Sequence, residues 1–158
     1  MALTKIGKEG ITGVSNSANA TFLTVDSSEQ AVIKSEGGAV TTSVQQGLAK
    51  AWINFNGTGT IAARDSFNIS GITDDATGTY TVTINNDMAN ANHVVTTGMT
   101  SYSGQGDTRF VAMLRSAGVN DWSNYTTTSF KTVSKQIANG GDNIDHSLLI
   151  YSVFGDLA

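Results

Sequence analysis

Cysteine and proline are both absent from the 158 residues. Without cysteine, no disulfide framework, thiolate zinc site or thiol nucleophile can form. Charge is scarce too. Asp, Glu, Lys and Arg make up 14% of the chain, where about a quarter is ordinary. Hydrophobic residues reach only 39%, and Ser, Thr, Asn and Gly fill the gap. Such a surface stays soluble by hydration and hydrogen bonding, or by being partly covered in an assembly. No apolar run approaches the roughly 18 residues that span a membrane. The first residues, Met1-Ala2-Leu3-Thr4-Lys5-Ile6-Gly7, have no apolar signal core. The expectation is synthesis in the cytoplasm without a secretory leader and without membrane insertion. The net charge is −4, and no basic groove for a phosphate backbone can be drawn, so nucleic acid is not an expected partner.

What is present points to strands and turns. All three glutamates lie before residue 37, and every later acid is Asp. Asp favours turns and caps where Glu favours helices. Thr79-Tyr80-Thr81-Val82-Thr83-Ile84 alternates cleanly, with Tyr80, Val82 and Ile84 on one face, as a half-buried antiparallel strand requires. Ala51-Trp52-Ile53-Asn54-Phe55 puts Ile53 and Phe55 on one face. Ser66-Phe67-Asn68-Ile69-Ser70 is read as one strand with Phe67 and Ile69 sharing a face. Further strands are expected near 21–25, 31–34, 61–63, 93–97, 109–114, 129–133 and 147–154. Between them stand turn formers such as Asn56-Gly57-Thr58-Gly59, Asp74-Asp75-Ala76-Thr77-Gly78 and Asn139-Gly140-Gly141-Asp142. Val40 to Trp52 fits a short helix or a turn and strand about equally. The spacing predicts an all-β chain, an antiparallel β-sandwich of jelly-roll-like kind over residues 50–158. Residues 1–49 are expected to form an extended N-terminal arm or a separate small β unit.

Several segments, in order, resemble a pattern of bacteriophage tail-fibre-like proteins. Ala51-Trp52-Ile53-Asn54-Phe55-Asn56-Gly57-Thr58-Gly59, followed by Ser66-Phe67-Asn68-Ile69-Ser70-Gly71-Ile72-Thr73-Asp74, is similar to their "AW-x-x-F-x-G-T-G" and "S-x-N-V-S-S-I-T-D" stretches. Gly78 to Ile84 and Met88 to Val95 follow the next stretch of that pattern, except that His93 stands where an aromatic is usual. Tyr151-Ser152-Val153-Phe154-Gly155-Asp156 resembles their "V-x-V-F-G-D" ending, and Asn19 to Glu29 resembles a run near their start. The matches cover about half the chain, and residues 98–146 match nothing in the pattern. The resemblance implies a homotrimer on the surface of a virion, whose partners are other virion proteins of the tail or the major capsid protein, and a host surface glycan or protein.

The residues that carry chemistry are sparse. His93 and His146 are the only imidazoles, and each reads as structural before it reads as a ligand or base. Asp74 with Asp75, or Asp142 with Asp145, could form the carboxylate pair of a glycosidase, but paired Asp in a turn is ordinarily a turn former. No Gly-x-Ser-x-Gly elbow occurs, and the Gly-rich turns lack the Lys-Ser/Thr of a phosphate loop. No catalytic residue, metal or cofactor is therefore expected. Tyr102, Trp122 and Tyr125 sit among Ser, Asn and Gly and are the candidates for surface contact. Trp52, Phe55, Phe67 and Tyr80 are assigned to the core or to a subunit interface. Lys5, Ile6, Lys8 and Ile11 are candidate anchors to a particle.

The leading expectation is a non-enzymatic virion structural protein, a short fibre or receptor-binding module attached through its N-terminal arm. A capsid decoration protein that stabilises the head is the alternative. A carbohydrate-active depolymerase is a minor third.

Overall fold

The computed structural model describes residues 23–25, 27, 31–34, 41–99, 110–114, 123–136 and 141–158. The chain is all-β with antiparallel sheets, and it divides into two compact units, Met1–Val44 and Gln45–Ala158. In the first unit, β1 (Leu23–Val25), β2 (Ala31–Lys34) and β3 (Thr41–Ser43) form a three-stranded sheet in that order. Few residues separate them in the sequence, which makes consecutive strands neighbours. A single helical turn, α1 (Val44–Gly47), follows β3. The segment read as helix or strand thus holds both, a strand at Thr41–Ser43 and one helical turn that ends at Gly47, where glycine disfavours continuation.

The second unit holds two four-stranded sheets. Sheet I has the order β5-β4-β11-β8, from β5 (Ala62–Phe67), β4 (Ala51–Asn56), β11 (Leu149–Phe154) and β8 (Val94–Met99). Sheet II has the order β6-β7-β10-β9, from β6 (Ile69–Ala76), β7 (Thr79–Ile84), β10 (Ser129–Gln136) and β9 (Phe110–Leu114). The hairpins β4–β5, β6–β7 and β9–β10 each stay within one sheet. Short turns such as Thr77–Gly78 force this, and the order differs from the expected jelly roll, which is built from two Greek keys.

Alternation puts one face of each sheet into a shared core. Ala51, Ile53 and Phe55 of β4 and Leu149, Tyr151 and Val153 of β11 are buried, as are Tyr80, Val82 and Ile84 of β7 and Phe130 of β10. Rings from the two sheets meet directly. Phe55 packs edge-on to Tyr80 with centroids 5.2 Å apart, and Phe130 edge-on to Tyr151 at 6.0 Å. Each such side chain contributes about 1.5–3 kcal/mol through burial alone, and edge-to-face pairs add about 0.5–1.5 kcal/mol.

Two expectations need correction. Ser66-Phe67-Asn68-Ile69-Ser70 is not one strand. Asn68 adopts φ 55°, a left-handed conformation that Asn tolerates through local hydrogen bonding. The chain turns there, so Phe67 ends β5 in sheet I and Ile69 begins β6 in sheet II. They share no face: Phe67 is 53% exposed, while Ile69 packs against the core. In addition, Asp74, Asp75 and Ala76 belong to β6, not to the turn, which is reduced to Thr77 and Gly78.

Candidate interaction surfaces

The second unit has two distinct ends. At one, the chain comes in through Gln45–Lys50 and the C-terminus leaves. Lys50 N donates to Val153 O at 2.7 Å, Ala89 N to Asp156 O at 2.9 Å and Ala158 N to Asp87 O at 2.9 Å. The Gln46 side-chain amide bonds the Asp156 carboxylate. Asn68 seals the same end: its Nδ2 donates to Lys50 O at 3.0 Å and its Oδ1 accepts from Asn86 N at 2.7 Å.

The opposite end carries the turns at Gly57–Thr60 and Thr77–Gly78 and the connection from β10 to β11. Strand β8 finishes there at Met99 and β9 begins there at Phe110. Asp145 latches this end. Its Oδ1 accepts from Gly78 N at 2.6 Å and from the Tyr80 hydroxyl at 2.7 Å. Burial, then the bond to Asp145 and its charge, push the Tyr80 phenol far above its usual range. Ser134 completes the latch, its N–H donating to Gly78 O at 2.7 Å and its Oγ to Ile144 O at 2.5 Å. Asp145→Ala should therefore cost about 1–3 kcal/mol in a denaturant titration, because the Gly78 N–H loses its acceptor, while the Tyr80 hydroxyl keeps Gly57 O at 3.1 Å. Asp145→Asn, which keeps an acceptor, should cost clearly less. Equal losses would show that the carboxyl position holds nothing together.

The carboxylate pairs drawn from the sequence are engaged elsewhere. Asp75 accepts from Thr81 Oγ1 at 2.7 Å and pairs with Lys131 Nζ at 3.3 Å, so it ties adjacent strands together. Asp145 is the latch, and Asp142 is exposed. Asn56 folds the Gly57-Thr58-Gly59 turn onto its own side chain, bonding Thr58 O at 2.8 Å and Thr58 Oγ1 at 2.8 Å. Among the described residues, no three His, Asp or Glu side chains lie close enough to hold a metal ion.

His93 is buried at 6% exposure, with its ring against Tyr125 at 4.3 Å and Nδ1 3.3 Å from Asn90 O. The Tyr125 hydroxyl bonds His93 O, and burial raises the Tyr125 phenol to about 12. Burial also lowers the His93 pKa, and the Asn90 carbonyl offsets this only in part. Below about pH 6.5, where free histidine takes up a proton, the unfolded chain binds a proton that the folded unit resists. Stability from this site is complete above that pH and declines as pH falls below it. His93→Phe keeps a ring against Tyr125 and should flatten the stability–pH profile in that window, read by denaturant midpoints. An unchanged slope would assign it to another group.

The remaining sequence candidates are placed as follows. Phe55 and Tyr80 are fully buried, Trp52 is half-buried on the outward face of sheet I, and Phe67 is exposed beside it. Tyr125 is half-buried, with its ring against His93. Lys5, Ile6, Lys8, Ile11, Tyr102 and Trp122 lie outside the described residues. Sequence reasoning missed Val94, Ile150 and Phe154, which share the outward face of sheet I with Trp52. The available signal was Leu149-Ile150-Tyr151-Ser152-Val153-Phe154, nearly continuous in apolar residues, the mark of a strand covered on both faces.

An open cleft of about 310 Å³ lies between the two sheets on the side of β5 and β6, lined by Ile53, Ile61, Ile69 and Ile72. Both edge strands carry irregularities, at Asn54/Phe55 against β5 and at Ile69/Gly71 and Asp74/Ala76 in β6. Bulges and charges such as Arg64, Asp65, Asp74 and Asp75 blunt an edge against further strand pairing.

No family model, curated protein or solved structure matches the chain.

Proposed function

We propose that the chain is a non-enzymatic structural protein of a bacteriophage particle, a short fibre or receptor-binding module on the virion surface. Its second unit is a β-sandwich of sheets I and II, and it works as a homotrimer. Residues ahead of it form the attachment arm, with Lys5, Ile6, Lys8 and Ile11 as anchors. The tail or the major capsid protein is the partner on the particle, and a host surface glycan or protein is the partner outside it.

One observation carries this reading. The chain enters the second unit at the end where the C-terminus is pinned, next to Gln46 and Asp156. The opposite end of the unit carries its turns and the latched 141–148 segment. A module held at one end and presenting loops at the other suits a displayed contact protein, since loops on a rigid scaffold are where recognition sits.

Capsid decoration that stabilises the head is the second reading, in which the same β-rich unit binds the junctions between capsomers. Particles made with the chain lacking residues 1–20 should sediment without it, while the full chain co-sediments. Retention of the truncated chain at the full level would remove the attachment arm from the account.

A further inference from the structure

The two outward faces of the second unit differ in kind. The outward face of sheet II carries mainly hydroxyls and charges: Thr73 and Asp75 are exposed, Thr81, Thr83, Ser129 and Lys131 are half-buried with Lys131 paired to Asp75, and Val133 is buried among them. This is the face of a sheet solvated on one side. Sheet I carries an apolar patch on its outer side as well, bordered by Asn56, Asp65 and Thr96. Trp52 sits at its centre, with Phe67 directly opposite on β5, Ser152 directly opposite on β11, and Ile150 and Phe154 diagonal to it. Val94 on β8 lies opposite Phe154. In a single chain, Phe67 is 53% exposed, Val94 59% and Ile150 40%. Asn54, between Asp65 and Ile150 on this face, holds its Oδ1 out of solvent without a hydrogen-bond donor. Phe67, Val94 and Ile150 thus leave large apolar side chains in water on the outer face of sheet I, where the outer face of sheet II exposes none among the described side chains.

We infer that the outward face of sheet I is where copies of this chain meet; this rests on the trimeric reading above and names its contact surface. Size supports a second copy as the occupant. Four strands about 4.8 Å apart and six residues at about 3.4 Å each make a face about 19 Å by 20 Å, or roughly 400 Å². Each partner in a standard interface gives about 800 Å², so this face supplies the apolar centre and its surroundings the polar rim. Three such faces around a threefold axis each stand about 5.5 Å from it, close to half the roughly 10 Å between packed sheets. Side chains the size of Trp52 and Phe67 fill that space without a channel.

The test is the solution mass of the full chain, by sedimentation and light scattering, for the wild type and for Phe67→Lys, Val94→Lys and Thr81→Lys. The first two place a charge on the apolar face at positions more than half exposed, so the single chain tolerates them. Thr81→Lys places the same charge on the polar face. Circular dichroism and Trp fluorescence establish folding, and Val94→Lys carries the test alone if Phe67→Lys does not fold. The wild type and Thr81→Lys should be trimers. The face variants should associate at least about 30-fold more weakly, the size of a hot-spot loss. Folded face variants that remain as trimeric as the wild type would overturn the inference and leave the trimer standing. A wild type that is dimeric and is dissociated by the face variants would keep the interface and contradict the trimer. A wild type that stays monomeric at millimolar concentration would overturn both, without bearing on whether the chain is part of a particle.

Discussion

Gly78→Ala should destabilise the second unit by about 2–5 kcal/mol, close to the whole stability of a marginal domain of about 5–15 kcal/mol. Two causes add. Gly78 has φ +63°, where a side chain costs roughly 1–2 kcal/mol. A Cβ there would also stand 2.6 Å from Ser134 O, 2.7 Å from Ile144 N and 2.8 Å from Ile144 O. All three are backbone atoms and cannot swing aside, and overpacking of this kind costs about 1–3 kcal/mol. The same glycine donates to Asp145 and accepts from Ser134, so any shift that relieves the clash opens the latch. Gly59 is the internal control. It has the same φ of +63° but nothing within 4 Å of its would-be Cβ, so Gly59→Ala should cost only the conformational part, about 1–2 kcal/mol. Urea titrations followed by circular dichroism separate the two. Equal losses would mean that close approach at Gly78 has no energetic weight.

Phe55→Ala should cost about 3–5 kcal/mol, the range for a buried Phe truncated to Ala. Phe55 is fully buried and touches Tyr80 across the sheets and Tyr151 within its own sheet, at 5.2 and 5.6 Å between centroids. Removing the ring leaves a cavity bounded by two rigid aromatics that cannot collapse into it. Phe67→Ala should change the stability of the single chain by less than about 0.5 kcal/mol, as is usual for an exposed position, and should act on association. The pair separates two roles that the sequence alone could not tell apart. A large stability loss for Phe67→Ala in the dissociated chain would show that Phe67 packs inside one subunit.

The strands were legible where one face is buried and the other solvated. Thr79 to Ile84 alternates because β7 is central in sheet II with threonines outward, and Ala51 to Asn56 alternates for the same reason in sheet I. Legibility failed at Asn68. Nothing in Ser66-Phe67-Asn68-Ile69-Ser70 marks a corner, because Asn tolerates both extended and left-handed backbone, and the choice is made by Lys50, Asn85 and Asn86, which its side chain and carbonyl bind. Strand pairing was hidden as well, since β11 enters between β4 and β8 from nearly a hundred residues away. Asp145 stood out in the sequence as an acid, but its use as a latch depends on Gly78 and Tyr80, some 65 residues earlier. The apolar outer face of sheet I was half legible. Trp52 and Phe67 were noted as core or interface, while Ile150 and Phe154 were hidden inside a run that reads as one buried strand.

The central claim, that this chain is part of a particle, is tested most directly by its copy number in purified virions, quantified against the major capsid protein. The account predicts that the chain is present in tens of copies or fewer, in multiples of three, as a tail or vertex module would be. Hundreds of copies would move it to the head as a decoration protein, and its absence from purified particles would contradict the account.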